Sequence, residues 1–129
     1  LLEQRYKELT AGIVVQAYLK DSEQLVDRLI EFSRSKKHNI KEIIGFTAYF
    51  HNQFQFIHPF ADGNSRVTRL LAFHILRYFK FPVLDIPLGL LDQYLSNTKG
   101  YKKRDDDNLN ETLQLIILYN LKVIDEKLF

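Results

Sequence analysis

Residues 58–69 read His-Pro-Phe-Ala-Asp-Gly-Asn-Ser-Arg-Val-Thr-Arg. An imidazole, a carboxylate, a Gly-Asn turn and two guanidinium groups fall within one short polar loop. Strongly apolar segments flank it, Ile40 to Ile57 before and Leu70 to Phe81 after. Pro59 lacks an amide hydrogen and disfavours helix at the preceding residue. The upstream helix is therefore predicted to end just before His58, with His58 extended. A polar loop pinned between two rigid elements is a usual place for a site.

The flanks read as helices. Asn39 and Glu42 have capping-box spacing. Ile40, Ile43, Ile44, Thr47, Phe50, Phe54 and Ile57 recur at intervals of three and four, which predicts a helix over 39–57. A second helix is predicted from Ser65 or Arg66 to about Phe79. Its apolar residues, Val67, Leu70, Leu71, Phe73, Ile75, Leu76 and Phe79, cover most of the circumference, so it is expected to be central and buried. Phe60 is expected to anchor the loop in the core.

Further out, residues 21–35 read as a helix. Asp21 and Gln24 would cap it, and Leu25, Val26, Leu29, Ile30 and Phe32 form the apolar face. Pro82 to Pro87 is an extended connection, Leu88 to Thr98 a short helix, and Leu109 to Lys127 the final one. The charged run 102–107 is a solvated loop or a helix start. Residues 12–19 are either a β-branched strand after Gly12 or part of a longer helix. The expected fold is all-α, a bundle of five or six helices in one domain over 1–129, with at most a small β-hairpin near the start.

Composition narrows the function. The chain has 129 residues, 46% of them hydrophobic, which suits one domain with a real core. A net charge of +2 gives no ground for nucleic-acid or anionic-membrane binding. Absent cysteine excludes disulfides and thiolate metal sites, and a reducing, cytoplasmic location is expected. No apolar run could cross a bilayer, and the start does not read as a signal peptide. Methionine is absent even at position 1, so the chain is expected to be a fragment.

The loop has the chemistry of a phosphate site. Arg66 and Arg69 share a face of the restarting helix. They stand at its N-terminus, where the dipole already disfavours cations unless an anion also sits there. Exposed amides of Gly63, Asn64 and Ser65 would point at that anion. Two guanidinium forks suit a polyphosphate. Asp62 could hold a magnesium ion shared with phosphates. Asn64 could offer its side-chain amide to a phosphate oxygen, and His58 could take a proton from an attacking hydroxyl. Singly each has a plainer reading: a structural histidine, a turn, surface charge. Only the combination points to phosphoryl-type transfer.

The stretch resembles the signature of the Fic family, His-Pro-Phe-x-Asp/Glu-Gly-Asn-Gly-Arg-x-x-Arg. His58, Pro59, Phe60, Asp62, Gly63, Asn64, Arg66 and Arg69 match, as does the lead-in His51-x-x-Phe54-x-x-Ile57. The resemblance covers roughly residues 12 to 125. It implies a protein adenylyltransferase that moves AMP from Mg-ATP to a Ser, Thr or Tyr hydroxyl of a target protein. His58 would be the general base and Asp62 the Mg²⁺ ligand. Gly63, Asn64 and Ser65 would form the anion hole, and Arg66 and Arg69 would grip the β and γ phosphates. Tyr94 and Tyr101 are the candidates for the adenine contact, and Gly12 to Leu19 occupies the place of a target-binding flap. No Ser or Thr has Glu four positions on, so the family's inhibitory helix is expected elsewhere or in a partner; a homodimer stays open.

Ser65 departs from the pattern, where most members carry glycine. A position requiring φ > 0 would strain it. The related Doc kinases carry lysine there, which keeps a Doc-like phosphotransferase open, as well as a non-catalytic interaction module. His51, His58, His74 and Asp62 are the available transition-metal ligands. His51 and His74 read instead as structural, His74 as a satisfied core residue.

Overall fold

The computed structural model describes residues 20–83, 86–98 and 104–128. Helix α1 covers residues 20–34, and α2 Ile40–Ile57, α3 Asn64–Tyr78, α4 Leu88–Thr98 and α5 Asp106–Leu128 follow. No strand occurs among the described residues. The expected flap at 12–19 lies outside them.

Helix α2 is the centre of the bundle. It packs against both α3 and α5, while α4 lies on α5. Phe32 meets Phe46, Asn110 approaches Gly45, and Asn52 bonds Asp106, so α1 and α5 both run antiparallel to α2. One core cluster joins Ile44, Ala48, Leu76, Val83, Leu109 and Leu113. The other joins Leu25, Phe50, Phe54, Ile57 and Ile75 beneath the motif loop.

This corrects the expectation that the helix after the motif is the buried one. In α3, Leu70 is 64% exposed, and His74 and Tyr78 also face solvent. Its apolar residues do surround the axis, but α3 packs on α2 and leaves its Leu70, His74 and Tyr78 face open. For the same reason His74 is not a core histidine. Val26, Ile30 and Ile40 likewise belong to helical stripes that no described neighbour covers. Lys20 is already helical, so Asp21 lies within α1 rather than capping it.

The helix ends are set by local chemistry. Asn39 accepts the Glu42 amide at 2.8 Å, which fixes the start of α2. Glu42 turns its own carboxylate to His38 Nδ1 at 2.9 Å instead of closing the box. His38 Nε2 meets the Phe32 carbonyl at 2.8 Å, and the ring stacks on Phe32 at 3.8 Å, which in turn stacks on Phe46 at 4.1 Å. Both ring nitrogens thus face acceptors. The Glu42 carboxylate, opposed by burial and helped by the Phe32 carbonyl, raises the His38 pKa. Helix α3 closes with Lys80 left-handed at φ 74; its amide bonds Arg77 O, and the Phe81 amide bonds Leu76 O. Asp105 caps α5 by accepting the Asn108 amide at 3.0 Å, so that helix starts three residues earlier than its first apolar residue suggests.

Phe50 is fully buried and Phe56 is 77% exposed on the same helix. Phe50→Ala should cost about 3–5 kcal/mol of unfolding free energy. Phe56→Ala should stay within about 0.5 kcal/mol. Urea denaturation of the two variants checks both.

Candidate functional site

The motif loop is held at both ends by left-handed residues. His58 is the C-cap of α2, with φ 53 and ψ 57, and its amide bonds the Phe54 carbonyl at 3.0 Å. The expected extended conformation is therefore wrong. Pro59 does end the helix, but the chain leaves it through an αL cap, which satisfies an α2 carbonyl that an extended residue would orphan. The imidazole is exposed and makes no hydrogen bond among the described residues.

Gly63 sits at the other end with φ 79, a region that favours glycine. A Cβ there would meet Arg66 Nη2 at 3.4 Å. Ser65, in the first turn of α3, is helical and has no positive φ. Glycine's freedom is needed at 63 and not at 65, so the serine is unstrained. Its hydroxyl accepts from Gln55 Nε2 at 3.3 Å, which ties the start of α3 to α2.

Asn64 braces the loop. Its side chain is 4% exposed; it accepts the Phe60 amide at 2.9 Å and donates to the Phe60 carbonyl at 2.6 Å. That side-chain amide is thus committed to the backbone and is turned away from any phosphate. Phe60 is anchored by this backbone clamp and not by its ring, which is 49% exposed. The Thr68 hydroxyl adds a bond to the Asn64 carbonyl at 2.6 Å.

The backbone amides left open lie one residue on from those expected. The Gly63 amide donates to Asp62 Oδ1 at 2.8 Å. Helix α3 has no side-chain cap, and its first intrahelical bond runs from the Val67 amide to the Gly63 carbonyl. The amides of Asn64, Ser65 and Arg66 therefore have no intrahelical acceptor, and the positive end of the dipole is open. Asp62 is exposed, and among the described residues only one of its carboxylate oxygens is bonded. Arg66 is exposed and folds back toward Gly63, whereas Arg69 is half-buried.

Arg69 adjoins a buried polar chain. The charge of Arg69 acts on both His51 and Tyr94. His51 is fully buried, with Nε2 at 2.7 Å from the Tyr94 hydroxyl and Nδ1 at 3.1 Å from Asn52 Oδ1. Asn52 Nδ2 donates to Asp106 Oδ1 at 2.7 Å. A carboxylate only accepts, so the order is fixed. Tyr94 donates to His51, His51 to Asn52, and Asn52 to Asp106, with His51 neutral and protonated on Nδ1. Burial pushes the His51 pKa down to about 4, against the opposing Asn52 bond and Asp106 charge. Burial pushes the Tyr94 hydroxyl up. Burial also works against the Asp106 carboxylate, but bonds from Arg104 and Asn52 outweigh it and hold its pKa low. Arg104 grips Asp106 at 2.8 and 3.0 Å and also bonds Gln53.

Tyr94 is 3% exposed with its hydroxyl on His51, so it has no ring face for a stacked base. Tyr101 lies outside the described residues. His58, Asp62 and Gly63 lie in the loop, and Asn64, Ser65 and Arg66 follow in the first turn of α3; His51 and His74 do not join them, and no three His, Asp or Glu groups come together among the described residues. Asn52, Asp106 and Gln55 are not singled out by the sequence. A polar Asn52 on the buried face of an apolar helix is the available signal.

The loop ends at an open helix N-terminus, with Arg66 and Arg69 in the first turns of that helix. The Fic/DOC family model matches residues 3–76, over half the chain, and the chain belongs to that family; its all-α bundle is of the Fic type. It is 33% identical over 70 residues to Protein adenylyltransferase Fic of Drosophila mojavensis, across 54% of this chain and 14% of the relative. The same figures hold for the protein of that name in Drosophila grimshawi. The chain thus spans 14% of the length of these curated relatives. No solved structure matches the chain.

Asn64→Ala should remove the brace and lower stability by about 1–3 kcal/mol, read by denaturant unfolding. Between pH 6.5 and about 4 the unfolded chain protonates His51 while the folded chain does not. Stability should therefore fall as the pH is lowered across that window, by roughly 3 kcal/mol. His51→Gln should flatten that part of the profile.

Proposed function

We propose that this chain transfers AMP from Mg-ATP to a Ser, Thr or Tyr hydroxyl of a target protein. The observation that carries the reading is an exposed, unbonded His58 imidazole at one end of the loop and an uncapped α3 N-terminus at the other. His58 takes the proton of the acceptor hydroxyl as its oxygen attacks the α-phosphorus. The bond from the α-phosphorus to the bridging oxygen breaks, and pyrophosphate leaves. The backbone amides of Asn64, Ser65 and Arg66 hold phosphate oxygens through the helix dipole. The Arg66 and Arg69 guanidinium groups bind the β and γ phosphates. The free oxygen of Asp62 fits a single magnesium ligand, and its neighbour oxygen is steadied by the Gly63 amide. Magnesium would neutralise charge on the phosphates and orient them.

Asn64 acts here as a brace with only its main-chain amide on the phosphates, and Tyr101 remains the candidate adenine contact. The target protein binds through the segment at 12–19, and the site works in the cytoplasm, with 1–129 as one catalytic domain. Ser65 gives a second reading. Its hydroxyl stands on the first turn of α3 beside the phosphates, where glycine would offer nothing, and this could turn ATP end for end toward γ-phosphoryl transfer.

Target proteins incubated with the chain and α-labelled ATP should become labelled, and γ-labelled ATP should leave them unlabelled. His58→Ala should reduce transfer by at least about a hundredfold while Mg-ATP binding by calorimetry persists. Transfer of only the γ label would establish the phosphotransferase instead. Undiminished labelling by His58→Ala would remove the imidazole from the mechanism, and failure to bind Mg-ATP at all would leave an interaction module.

A further inference from the structure

A second concave surface lies away from the motif loop, between α1 and the exposed side of α3. It is a cavity of about 500 Å³, within the range of ligand-sized pockets. Leu29, Ile75 and Phe79 form its floor, and the Tyr78 hydroxyl bonds the Ser33 carbonyl across it at 3.3 Å. His74 lines it ten residues along α3 from Asn64, about 15 Å at the helical rise.

Ile30 and Arg34 on α1 and His74 and Tyr78 on α3 line it and belong to two exposed helical stripes. On α1, Val26, Ile30 and Arg34 follow at intervals of four; on α3, Leu70, His74 and Tyr78 do the same. Val26, Ile30, Leu70 and Tyr78 are each between 46% and 64% exposed. The Ser33–Tyr78 bond pairs the later turns of the two helices, and Ile30 and His74 share the cavity, so α1 and α3 run side by side in one direction. The cavity is therefore apolar toward Leu29, Ile30 and Ile75 and basic toward Arg34 and Lys36. No carboxylate lines the cavity, and neither Arg34 nor Lys36 has an acidic partner among the described residues.

We propose that this groove binds a partner protein through an amphipathic helix whose apolar stripe is followed, a turn or two on, by carboxylates. A helix laid in a groove presents anchors at i, i+4 and i+7, and the apolar Leu29, Ile30, Ile75 and Phe79 line the cavity that would receive them. The acidic end would meet Arg34 and Lys36, which have no acidic partner among the described residues. A peptide fits better than a membrane surface because the apolar residues line a concave slot, with the cations at one end and not around a flat rim. The inference is independent of the transfer chemistry, since the cavity is lined by His74, Ile75, Tyr78 and Phe79 and not by the motif residues up to Arg69.

The test uses a dye-labelled helical peptide of about four turns with leucines at i, i+4 and i+7 and glutamates in the adjoining turn, and a matched peptide with lysines for the glutamates. Fluorescence anisotropy should show binding of the glutamate peptide, weakened by salt, and at least about tenfold weaker binding of the lysine peptide. Ile30→Asp should abolish binding. Arg34→Glu combined with Lys36→Glu should reverse the preference toward the lysine peptide. These side chains are solvent-exposed, and circular dichroism and thermal melting verify that each variant folds. Absence of binding, or equal binding of both peptides, overturns the proposal. So does binding of anionic phosphatidylserine vesicles with the same Ile30 and Arg34 dependence and no peptide binding. Concentration-dependent self-association in sedimentation that Ile30→Asp removes would assign the groove to a second copy and equally overturn it.

Discussion

Asn64 binds both polar groups of the Phe60 backbone, the amide at 2.9 Å and the carbonyl at 2.6 Å. The loop between α2 and α3 is too short and too irregular to satisfy its own backbone, and its apolar residue is half in water. One buried side chain supplies what a strand or helix would otherwise provide. Because Asn64 is also the first residue of α3, the brace fixes the helix start. That in turn decides which amides are left pointing outward. Every group assigned to phosphate binding depends on this closure.

Beneath the loop a second constraint operates. Tyr94, His51, Asn52 and Asp106 form a continuous donor-to-acceptor chain through α4, α2 and α5. Each member is satisfied only if all the others keep their orientation, since a buried polar group without its partner is costly. The chain ends in a carboxylate clamped by Arg104, which also reaches Gln53 on α2. It thereby holds α2 in register with α5 while Arg69 approaches from α3. Two histidines are shifted in opposite directions by their surroundings: His38 upward between two acceptors, His51 downward by burial.

Much of this is legible in the sequence because helices are local. Asn39 and Glu42 mark the start of α2, and Pro59 marks its end, each through interactions a few residues long. The site loop is legible for the same reason: His58, Asp62 and the two arginines are close in the chain. What cannot be read depends on neighbours. Tyr94 lies 43 residues from His51, and nothing in its spacing distinguishes a core tyrosine bonded to a histidine from one open to a base. Leu70 and Leu76 look alike in the apolar pattern of α3, yet one is 64% exposed and the other is buried. Periodicity records that a face is apolar, while only packing decides whether another helix covers it. The role of Asn64 is hidden because a side-chain amide suits a phosphate and a backbone clamp equally well.

The left-handed cap at His58 makes one residue both a stop for α2 and the candidate base. Among side chains, Asn, Asp and His tolerate that backbone region best. Alanine at this position would therefore strain the cap as well as remove the imidazole. Asparagine keeps the left-handed geometry and a polar side chain yet cannot take up a proton near neutral pH. The fold thus singles out one substitution, His58→Asn, that separates the geometry of the loop from its acid–base chemistry.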